Sequence, residues 1–229
     1  MAEAATRRAP GRGRFISFEG GEGSGKSTQI KKLAERLEAA KLRSIVTREP
    51  GGSPGAEVIR HLLLSGMGKL LGPEAETLLF AAARDDHVRT VILPALNQGT
   101  WVLCDRFSDS TRVYQGRVGH VPLGLVNAME RVTIGDLKPD LTIILDVPVE
   151  VGLKRAAARR GDAAADRFES EDVRFHQELR DAYREIAAAE PQRCVLIDAT
   201  PDAHTVAVSV WAALRDRLLA SPASVASTA

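Results

Sequence analysis

A glycine-rich segment near the start of the chain has the spacing of a phosphate-binding loop. Residues 20–27 have the sequence GGEGSGKS, an intact match to G-x-x-x-x-G-K-[ST]. In such a loop, backbone N–H groups point inward at phosphates, the Lys26 ammonium contacts the outer phosphates, and the Ser27 hydroxyl can ligate Mg²⁺. A short apolar run over residues 15–18 precedes the loop, and residues 28–37 follow it with apolar side chains at helical spacing. This context favours nucleotide binding over a glycine-rich turn that binds nothing.

Three arginines follow apolar runs or lie on a helical pattern. Arg48 follows the second apolar run, Arg84 lies one helical turn after Phe80, and Arg106 follows Asp105 directly. If these side chains converge, they form a pocket with an aromatic ring and several guanidinium groups, which suits a flat base and an anionic phosphate. A phosphate acceptor arrives already ionised, so such a site needs positive charge and alignment rather than a general base. The set indicates a nucleoside monophosphate kinase, whereas each arginine alone is as consistent with a solvated surface charge.

The elements that must position these residues alternate between strand and helix. Five apolar runs are separated by longer helical patterns, which predicts an α/β fold with a five-stranded parallel sheet flanked by helices. Asp105, Asp146 and Asp198 each follow a run directly. Ligands of open α/β sheets bind outside the carboxyl ends of the strands, so we expect all three carboxylates near one crevice. The predicted strands are residues 15–18, 44–47, 101–104, 141–145 and 194–197.

The helical patterns have recognisable ends. Residues 73–97 form the longest pattern, and Pro94 is expected to kink or end it. A helix is expected over residues 148–160, and another over residues 169–190. Between them, residues 161–166 are short polar and alanine side chains, which predicts a mobile loop.

Composition limits the classes of protein that fit. The chain has 229 residues and a net charge of +1, which gives no support for non-specific nucleic-acid binding. Its apolar stretches are too short for a membrane span. Cys104 and Cys194 lie far apart without metal-ligand spacing, so we expect two buried thiols in a reducing cytoplasm. Residues 1–13 and 220–229 are interpreted as disordered tails around a single domain of residues 14–219.

Six segments extend these motifs along the chain: FEGGEGSGKSTQ (18–29), REPGG (48–52), LFAAAR (79–84), DRF (105–107), STRVYQG (110–116) and PDLTIILD (139–146). Taken together, they resemble thymidylate kinase. The resemblance runs in order from about residue 15 to residue 198 and covers most of the chain, and other monophosphate kinases lack this combination. It implies a P-loop NTPase fold with a LID segment at about residues 154–168, ATP- and Mg²⁺-dependent phosphorylation of dTMP to dTDP for dTTP synthesis, and a homodimer.

The resemblance also implies roles for residues of the acceptor pocket. Phe80 would stack on thymine, and Arg84 would hydrogen-bond the base. Arg48 and Arg106 would bind the acceptor phosphate, and Glu22 would face the 3′-hydroxyl of the sugar rather than ATP. The nucleoside pocket would be lined by Ser110, Gln115 and Tyr114, the last near C2′, where its ring would crowd a ribose hydroxyl.

On the ATP side, the resemblance indicates the bacterial type, in which the LID supplies the catalytic arginine because the loop itself has none. Arg159 or Arg160 would then act with Lys26 and Arg106, and Arg155 and Arg167 would contact ATP. The metal would be bound by Ser27 and, through water, by Asp105. The loop residues in contact with ATP would be Gly20, Gly21, Glu22, Gly23, Ser24, Gly25, Lys26, Ser27 and Thr28.

Two other functions remain open at this stage. A deoxynucleoside kinase shares the P-loop and the acid–arginine pair after the third strand, and Glu49 could serve as its general base. A non-catalytic nucleotide-binding protein could use the same scaffold, although Lys26, Ser27 and Arg106 are all present.

Overall fold

The computed structural model describes residues 11–161 and 168–219 of the chain. Within these residues the strands are β1 (Phe15–Glu19), β2 (Ser44–Arg48), β3 (Trp101–Asp105), β4 (Leu141–Asp146) and β5 (Cys194–Asp198). They form one parallel sheet with the order β2-β3-β1-β4-β5. The predicted fold class is confirmed, and each strand runs one residue past its apolar run to end on a polar side chain.

The central position of β1 places the glycine-rich loop at the middle of the sheet's carboxyl edge. β1 pairs with β3 on one side and with β4 on the other. Chain connections leave the sheet in opposite directions at this point, which is where open α/β sheets bind ligands. Phe18 is aligned with Asp105 across β1 and β3, so the acid that ends β3 lies beside the start of the loop.

Helices cover both faces of the sheet, which is why the strands are apolar on both sides. One face packs against α1 and α9 through a cluster that includes Phe18, Leu33 and Val210. The other face has a cluster around Phe15 and Phe107. The helices are α1 (Lys26–Ala39), α2 (Pro54–Leu64), α3 (Pro73–His87), α4 (Leu93–Asn97), α5 (Ser108–Thr111), α6 (Leu123–Ile134), α7 (Val149–Arg160), α8 (Val173–Ala189) and α9 (Ala203–Leu214).

The long pattern over residues 73–97 is helical throughout but not uniformly α-helical. A π-helical turn, Val88–Ile92, lies between α3 and α4, and the Leu93 N–H donates to the carbonyl of Val88. The helix therefore does not end at Pro94, because the irregularity is taken up in the wider turn before the proline. A second π-helical segment, Arg112–Val118, follows α5. It carries two of the residues predicted to line the nucleoside pocket.

The helix predicted to begin at Pro148 is confirmed as α7, and both cysteines are buried and free. Residues 162–166 of the predicted mobile loop lie outside the described residues, as do residues 1–10 and 220–229 of the predicted tails. In the part of the chain that is described, we find no helix with the length and apolar character needed to cross a membrane.

Candidate active site

The loop between β1 and α1 surrounds the Lys26 ammonium. Nζ of Lys26 donates hydrogen bonds to the carbonyl oxygens of Gly20 and Gly21, both at 3.0 Å. Gly25 has a φ of 92°, a left-handed conformation that favours glycine over residues with a side chain. Burial, together with the nearby Arg106, lowers the pKa of Lys26. The ammonium is thus fixed inside the loop whose sequence predicts phosphate binding.

The backbone of the same loop approaches the backbone of α7 closely. A Cβ on Gly23 would collide with the carbonyl of Gly152, and a Cβ on Gly152 would lie 2.5 Å from the carbonyl oxygen of Glu22. Both positions therefore require glycine. Because α7 continues into the predicted LID, this contact sets the distance between the loop and the LID arginines.

A cavity of about 320 Å³ opens beside the loop at the carboxyl edge of the sheet. It extends from the loop and the end of β3 to the aromatic ring of Phe80 on α3. Most of the predicted site residues therefore line one space. Of the predicted residues, it is lined by Glu22, Gly23, Ser24, Gly25, Lys26, Ser27, Thr28, Arg48, Phe80, Arg84, Asp105, Arg106, Ser110, Tyr114, Gln115 and Arg159.

Two oxygen ligands for a cation face each other at one wall of this cavity. Oγ of Ser27 donates a hydrogen bond to Oδ2 of Asp105 at 2.9 Å. A hydroxyl and a carboxylate suit Mg²⁺, which is usually bound by one or two carboxylates together with substrate phosphates. The described residues contain no cluster of three or more His, Cys, Asp and Glu side chains able to bind a metal ion. The donor set fits a metal held jointly with a nucleotide.

Arg106 joins several parts of the cavity wall. Its Nη2 donates to Oε1 of Glu22 at 2.7 Å, and its guanidinium carbon lies 5.0 Å from the centre of the Tyr114 ring. Burial alone would raise the pKa of Glu22, but the charges of Arg106 and Lys26 lower it to about 2. Glu22 is therefore ionised and paired with Arg106 at the cavity.

The backbone of Arg106 is strained. Its φ is 70°, in the left-handed region that residues with side chains rarely adopt, and its N–H donates to the carbonyl of Phe18 at 2.9 Å. Burial alone would lower the pKa of the guanidinium, but the surrounding Tyr114, Tyr183 and Glu22 raise it well above its usual value. Strain of this kind is retained where a side chain must point in a particular direction.

Arg84 is fixed by a buried network that the sequence analysis did not predict. Its Nε donates to Oε2 of Glu49 at 2.7 Å, and its Nη2 donates to Oγ1 of Thr111 at 2.9 Å. The other oxygen of Glu49 lies 3.0 Å from Nδ1 of His87, whose Nε2 lies 2.6 Å from Oγ1 of Thr47. Both oxygens of Glu49 are therefore engaged, which argues against its use as the general base of a nucleoside kinase.

Two further predicted pocket residues are paired with glutamates, one pair exposed and the other buried. Arg48 is exposed, and its Nη2 lies 3.0 and 3.1 Å from the two oxygens of Glu57. Nε2 of Gln115 donates to Oε1 of Glu76 at 3.4 Å. Glu57 and Glu76 orient pocket residues, but their sequence context gave no sign of it.

The arginines of the predicted LID point in different directions. Arg155 donates to the carbonyls of Ala199 and Thr200, in the loop after β5. Arg159 and Arg160 each bind one oxygen of Glu169, at 2.8 and 2.9 Å. Arg159 lines the main cavity, whereas the other described LID arginines, Arg155 and Arg160, do not. Arg167 lies outside the described residues.

The expectation that three strand-end acids meet in one crevice is wrong. Asp105 lines the main cavity. Asp146 lines a separate small cavity and forms a bidentate pair with Arg180, at 2.7 and 3.0 Å. Asp198 is exposed and accepts the N–H of Thr200 at 2.8 Å. β1 lies between β3 and β4, so the acids that end β4 and β5 lie on the far side of the loop.

Sequence analysis also missed Glu19, the last residue of β1. It is fully buried and accepts hydrogen bonds from the Phe107 N–H at 2.8 Å and from the Ser110 hydroxyl at 2.6 Å. Burial, with a contribution from Asp109, raises its pKa to about 7. A carboxylate directly before the loop glycines, at the end of a strand with apolar neighbours, was the available signal.

A P-loop at the centre of a parallel sheet, joined to a cavity that combines an aromatic ring with several arginines, defines a P-loop nucleotide-binding protein. The thymidylate kinase family model matches residues 18–210. Relatives named thymidylate kinase include one from Bradyrhizobium diazoefficiens, 75% identical over 99% of this chain and 100% of the relative. Another, from Nitrobacter hamburgensis, is 75% identical over 98% of this chain and 97% of the relative.

The fold agrees with this relationship. A crystal structure of thymidylate kinase from Ehrlichia chaffeensis has a TM-score of 0.72 and 33% sequence identity, covering 89% of this chain and 99% of that one. The chain therefore belongs to the thymidylate kinase family, a family of phosphotransferases that act on small nucleotides.

Proposed function

We propose that this enzyme transfers the γ-phosphoryl group of ATP to dTMP, giving dTDP and ADP for dTTP synthesis. One observation carries the proposal beyond family membership. One cavity is lined by Lys26 of the phosphate loop, by the ring of Phe80 and by Arg106. A donor nucleotide bound at the loop and an acceptor nucleotide bound at Phe80 would place their phosphates next to each other, as in-line transfer requires.

The donor side would use the loop and the Ser27–Asp105 pair. Backbone N–H groups of residues 20–28 and the Lys26 ammonium would bind the ATP phosphates. Ser27 would bind Mg²⁺ and Asp105 would do so through water. When bound, the ion would neutralise the negative charge that the β- and γ-phosphates share. Arg155 would lie against the adenine, next to the loop after β5.

On the acceptor side, the reaction needs charge and alignment rather than a base. The phosphate of dTMP is already ionised near neutral pH. Arg106 and Arg48 would orient this phosphate. Glu22 would accept a hydrogen bond from the 3′-hydroxyl of the sugar while also anchoring Arg106. The engagement of both Glu49 oxygens further disfavours the alternative, a nucleoside kinase with a hydroxyl acceptor.

Base recognition would rest on Phe80 and Arg84. Phe80 would stack on thymine, and Nη1 of Arg84 has no hydrogen-bond partner within the described residues, which leaves it for the base. Tyr114 would crowd a 2′-hydroxyl, with Ser110 and Gln115 beside it. Because dTMP and dUMP differ by one methyl group, we expect the enzyme to prefer dTMP without rejecting dUMP. The discrimination should be about 1–3 kcal/mol.

The LID would supply the positive charge that stabilises the transferred group. Arg159 is the favoured catalytic arginine because it lines the cavity and helps to lower the pKa of Glu22. Arg160 shares Glu169 with it and would position it. Arg167 would contact ATP, as the family resemblance implies.

The direct test of this function is ³¹P NMR of the enzyme with ATP, dTMP and Mg²⁺. The proposal expects signals of dTDP and ADP in equal amounts, and their loss when EDTA removes the metal. The control is Lys26→Met, which keeps the length of the side chain but removes its charge and should reduce the rate at least 10³-fold. ADP without dTDP would indicate hydrolysis and would contradict the proposal.

The homodimer is also proposed. α3 packs against both α2 and α6, and these three helices carry exposed apolar side chains, among them Val58, Leu78 and Val132. Val58 and Val132 are 73% and 77% exposed, and apolar patches exposed on neighbouring helices mark protein–protein contact sites. Sedimentation equilibrium should give a dimer for the parent and a monomer for Val132→Glu. A parent that sediments as a monomer at micromolar concentration would overturn this proposal.

A cytoplasmic location is proposed from the thiols. Cys104 and Cys194 are both buried and free, and burial raises the pKa of each thiol. Such thiols stay reduced where glutathione is abundant, and they add no stability through a disulfide. Fractionation of cells that produce the enzyme, followed by its activity assay, tests the location.

A further inference from the structure

A buried tyrosine lies behind Arg106 and contacts it from a distant part of the chain. Tyr183 belongs to α8 and is 2% exposed. Its hydroxyl oxygen lies 3.2 Å from Nη1 of Arg106, and Oγ of Ser110 lies 3.3 Å from the same nitrogen. Tyr183 does not line the main cavity, so any effect it has on a nucleotide must pass through another residue.

The Tyr183 hydroxyl lies among Arg106, Ser110 and Glu19, and its oxygen is 2.9 Å from Oγ of Ser110, where either hydroxyl can donate. A guanidinium group only donates, so Arg106 needs acceptors. Glu19 accepts from the hydroxyls of Tyr183 at 3.1 Å and of Ser110 at 2.6 Å. When both hydroxyls donate their hydrogen bonds to the ionised carboxylate of Glu19, their lone pairs face Nη1. In this form Glu19 orients both hydroxyl groups as acceptors for Arg106.

The frame that carries these groups is rigid. The Tyr183 ring packs in a cluster with Leu179, Ile186 and Ile144, which joins α8 to the sheet. Burial, together with the charge of Glu19, raises the pKa of the phenol well above its usual value, so the hydroxyl keeps its proton. Glu19 is fixed by the Phe107 N–H. No element of this arrangement depends on an exposed side chain.

We infer that Tyr183, oriented by Glu19, is a positioning residue that holds Arg106 in the direction needed to bind the acceptor phosphate. This rests on the proposed function, because it assigns the phosphate of dTMP to Arg106. Three other groups in the described residues accept hydrogen bonds from the same guanidinium: Oγ of Ser110 and the carbonyl of Gly20 on Nη1, and Glu22 on Nη2. Tyr183 is the only one of these partners that comes from α8, the helix that follows the LID.

The test compares ligands with and without a phosphate. Tyr183→Phe keeps the ring in its cluster and removes only the hydroxyl. We expect calorimetry to show dTMP affinity reduced about 10-fold, the size of one hydrogen bond to a charged group. Thymidine has no phosphate, and its affinity should stay within about twofold. Equal weakening of both ligands would mean that Tyr183 only supports the fold, and unchanged dTMP affinity would also overturn the inference.

A double-mutant cycle tests whether the effect passes through Arg106. In an Arg106→Lys background, Tyr183→Phe should change dTMP affinity by less than about twofold, because the guanidinium group that Tyr183 orients is absent. Full additivity would contradict the inference. Glu19→Gln provides a second variant, and its effect on dTMP affinity should likewise depend on Arg106. These binding results are independent of turnover, and a parent enzyme that binds dTMP without phosphorylating it would refute the proposed function alone.

Discussion

Arg106 and Glu22 form an ion pair, with 2.7 Å between Nη2 and Oε1, that joins the end of β3 to the phosphate loop. Both side chains are mostly buried, at 16% and 15% exposure, so the pair is weakly screened by solvent. In the proposed function, the loop would present a carboxylate to the acceptor and its backbone to the donor, so a single segment of sequence would lie between both nucleotides.

This pair predicts the behaviour of Glu22→Gln. The pKa of Glu22 is lowered to about 2, so the group is ionised throughout the pH range of an assay and loses its charge only as pH falls toward 2. We expect kcat/KM for dTMP to fall about 10- to 100-fold. The shape of the pH profile between pH 6 and 9 should not change. As a control, kcat/KM for 3′-deoxythymidine monophosphate should fall less than kcat/KM for dTMP, because this analogue lacks the hydroxyl whose hydrogen bond Glu22 would accept.

The LID arginines give a second prediction. Arg159 and Arg160 share the carboxylate of Glu169, but of these two arginines only Arg159 lines the cavity. Arg159→Met should lower kcat by about 10³-fold or more, because a well-placed arginine stabilises the charge of the transition state. Arg160→Met should lower kcat less than about 10-fold. Single-turnover kinetics at saturating ATP would measure both, and equal or reversed losses would contradict the assignment.

The backbone contact between the loop and α7 gives a third prediction. In Gly152→Ala the new methyl group would lie 2.5 Å from the carbonyl oxygen of Glu22, so the loop or α7 must shift. A displacement of about 1 Å at a reacting group costs about 10²-fold, and we expect a loss of that size in kcat. Gly124→Ala is the matched control, since Gly124 is also helical and its Cβ would contact nothing within 4 Å. Equal activity of the two variants would show that the contact does not matter.

A fourth prediction concerns Glu19 and the pH dependence of stability. Burial raises its pKa in the folded state from 4.5 to about 7, so the folded protein binds more protons than the unfolded chain between these values. The contribution of this group to stability is therefore lost as pH rises from 5 to 8, by an amount on the order of 3 kcal/mol. Relative to the parent, Glu19→Gln should become more stable over this range.

Denaturant unfolding at pH 5, 6, 7 and 8 measures this difference. Only the change with pH is diagnostic, because the amide also loses hydrogen bonds that the carboxylate accepts. A free-energy difference between the variant and the parent that stays constant with pH would show that Glu19 does not titrate in this range. Burying an ionised Glu19 costs folding free energy, so this group does not serve stability. It is consistent with a role in orienting Arg106.

The strands and the phosphate loop could be predicted from sequence because they depend on local pattern. Apolar runs of four or five residues gave the strands, and fixed spacing gave Lys26 and Ser27. The positions of Arg84 and Arg106 in the cavity could also be anticipated, since each lies next to a recognisable motif. Family resemblance added roles to these positions.

The supporting residues could not be predicted because they act across the fold. Glu19 and Tyr183 are separated by 164 residues and meet only because α8 packs against the sheet. The network of Glu49 and His87 depends on how α3 lies against β2, which spacing does not specify. The prediction for Asp146 failed for a similar reason, since its pairing with Arg180 depends on the position of α8.

The central claim is that the cavity takes a nucleoside monophosphate whose phosphate is the acceptor. The most direct measurement is ADP release from ATP and Mg²⁺ with dTMP, dUMP, thymidine and dGMP as alternative acceptors. We predict fast turnover with dTMP, slower turnover with dUMP, and none with thymidine or dGMP. Turnover with thymidine but not with dTMP would contradict the account, because it would require a hydroxyl acceptor in a site built around Arg106.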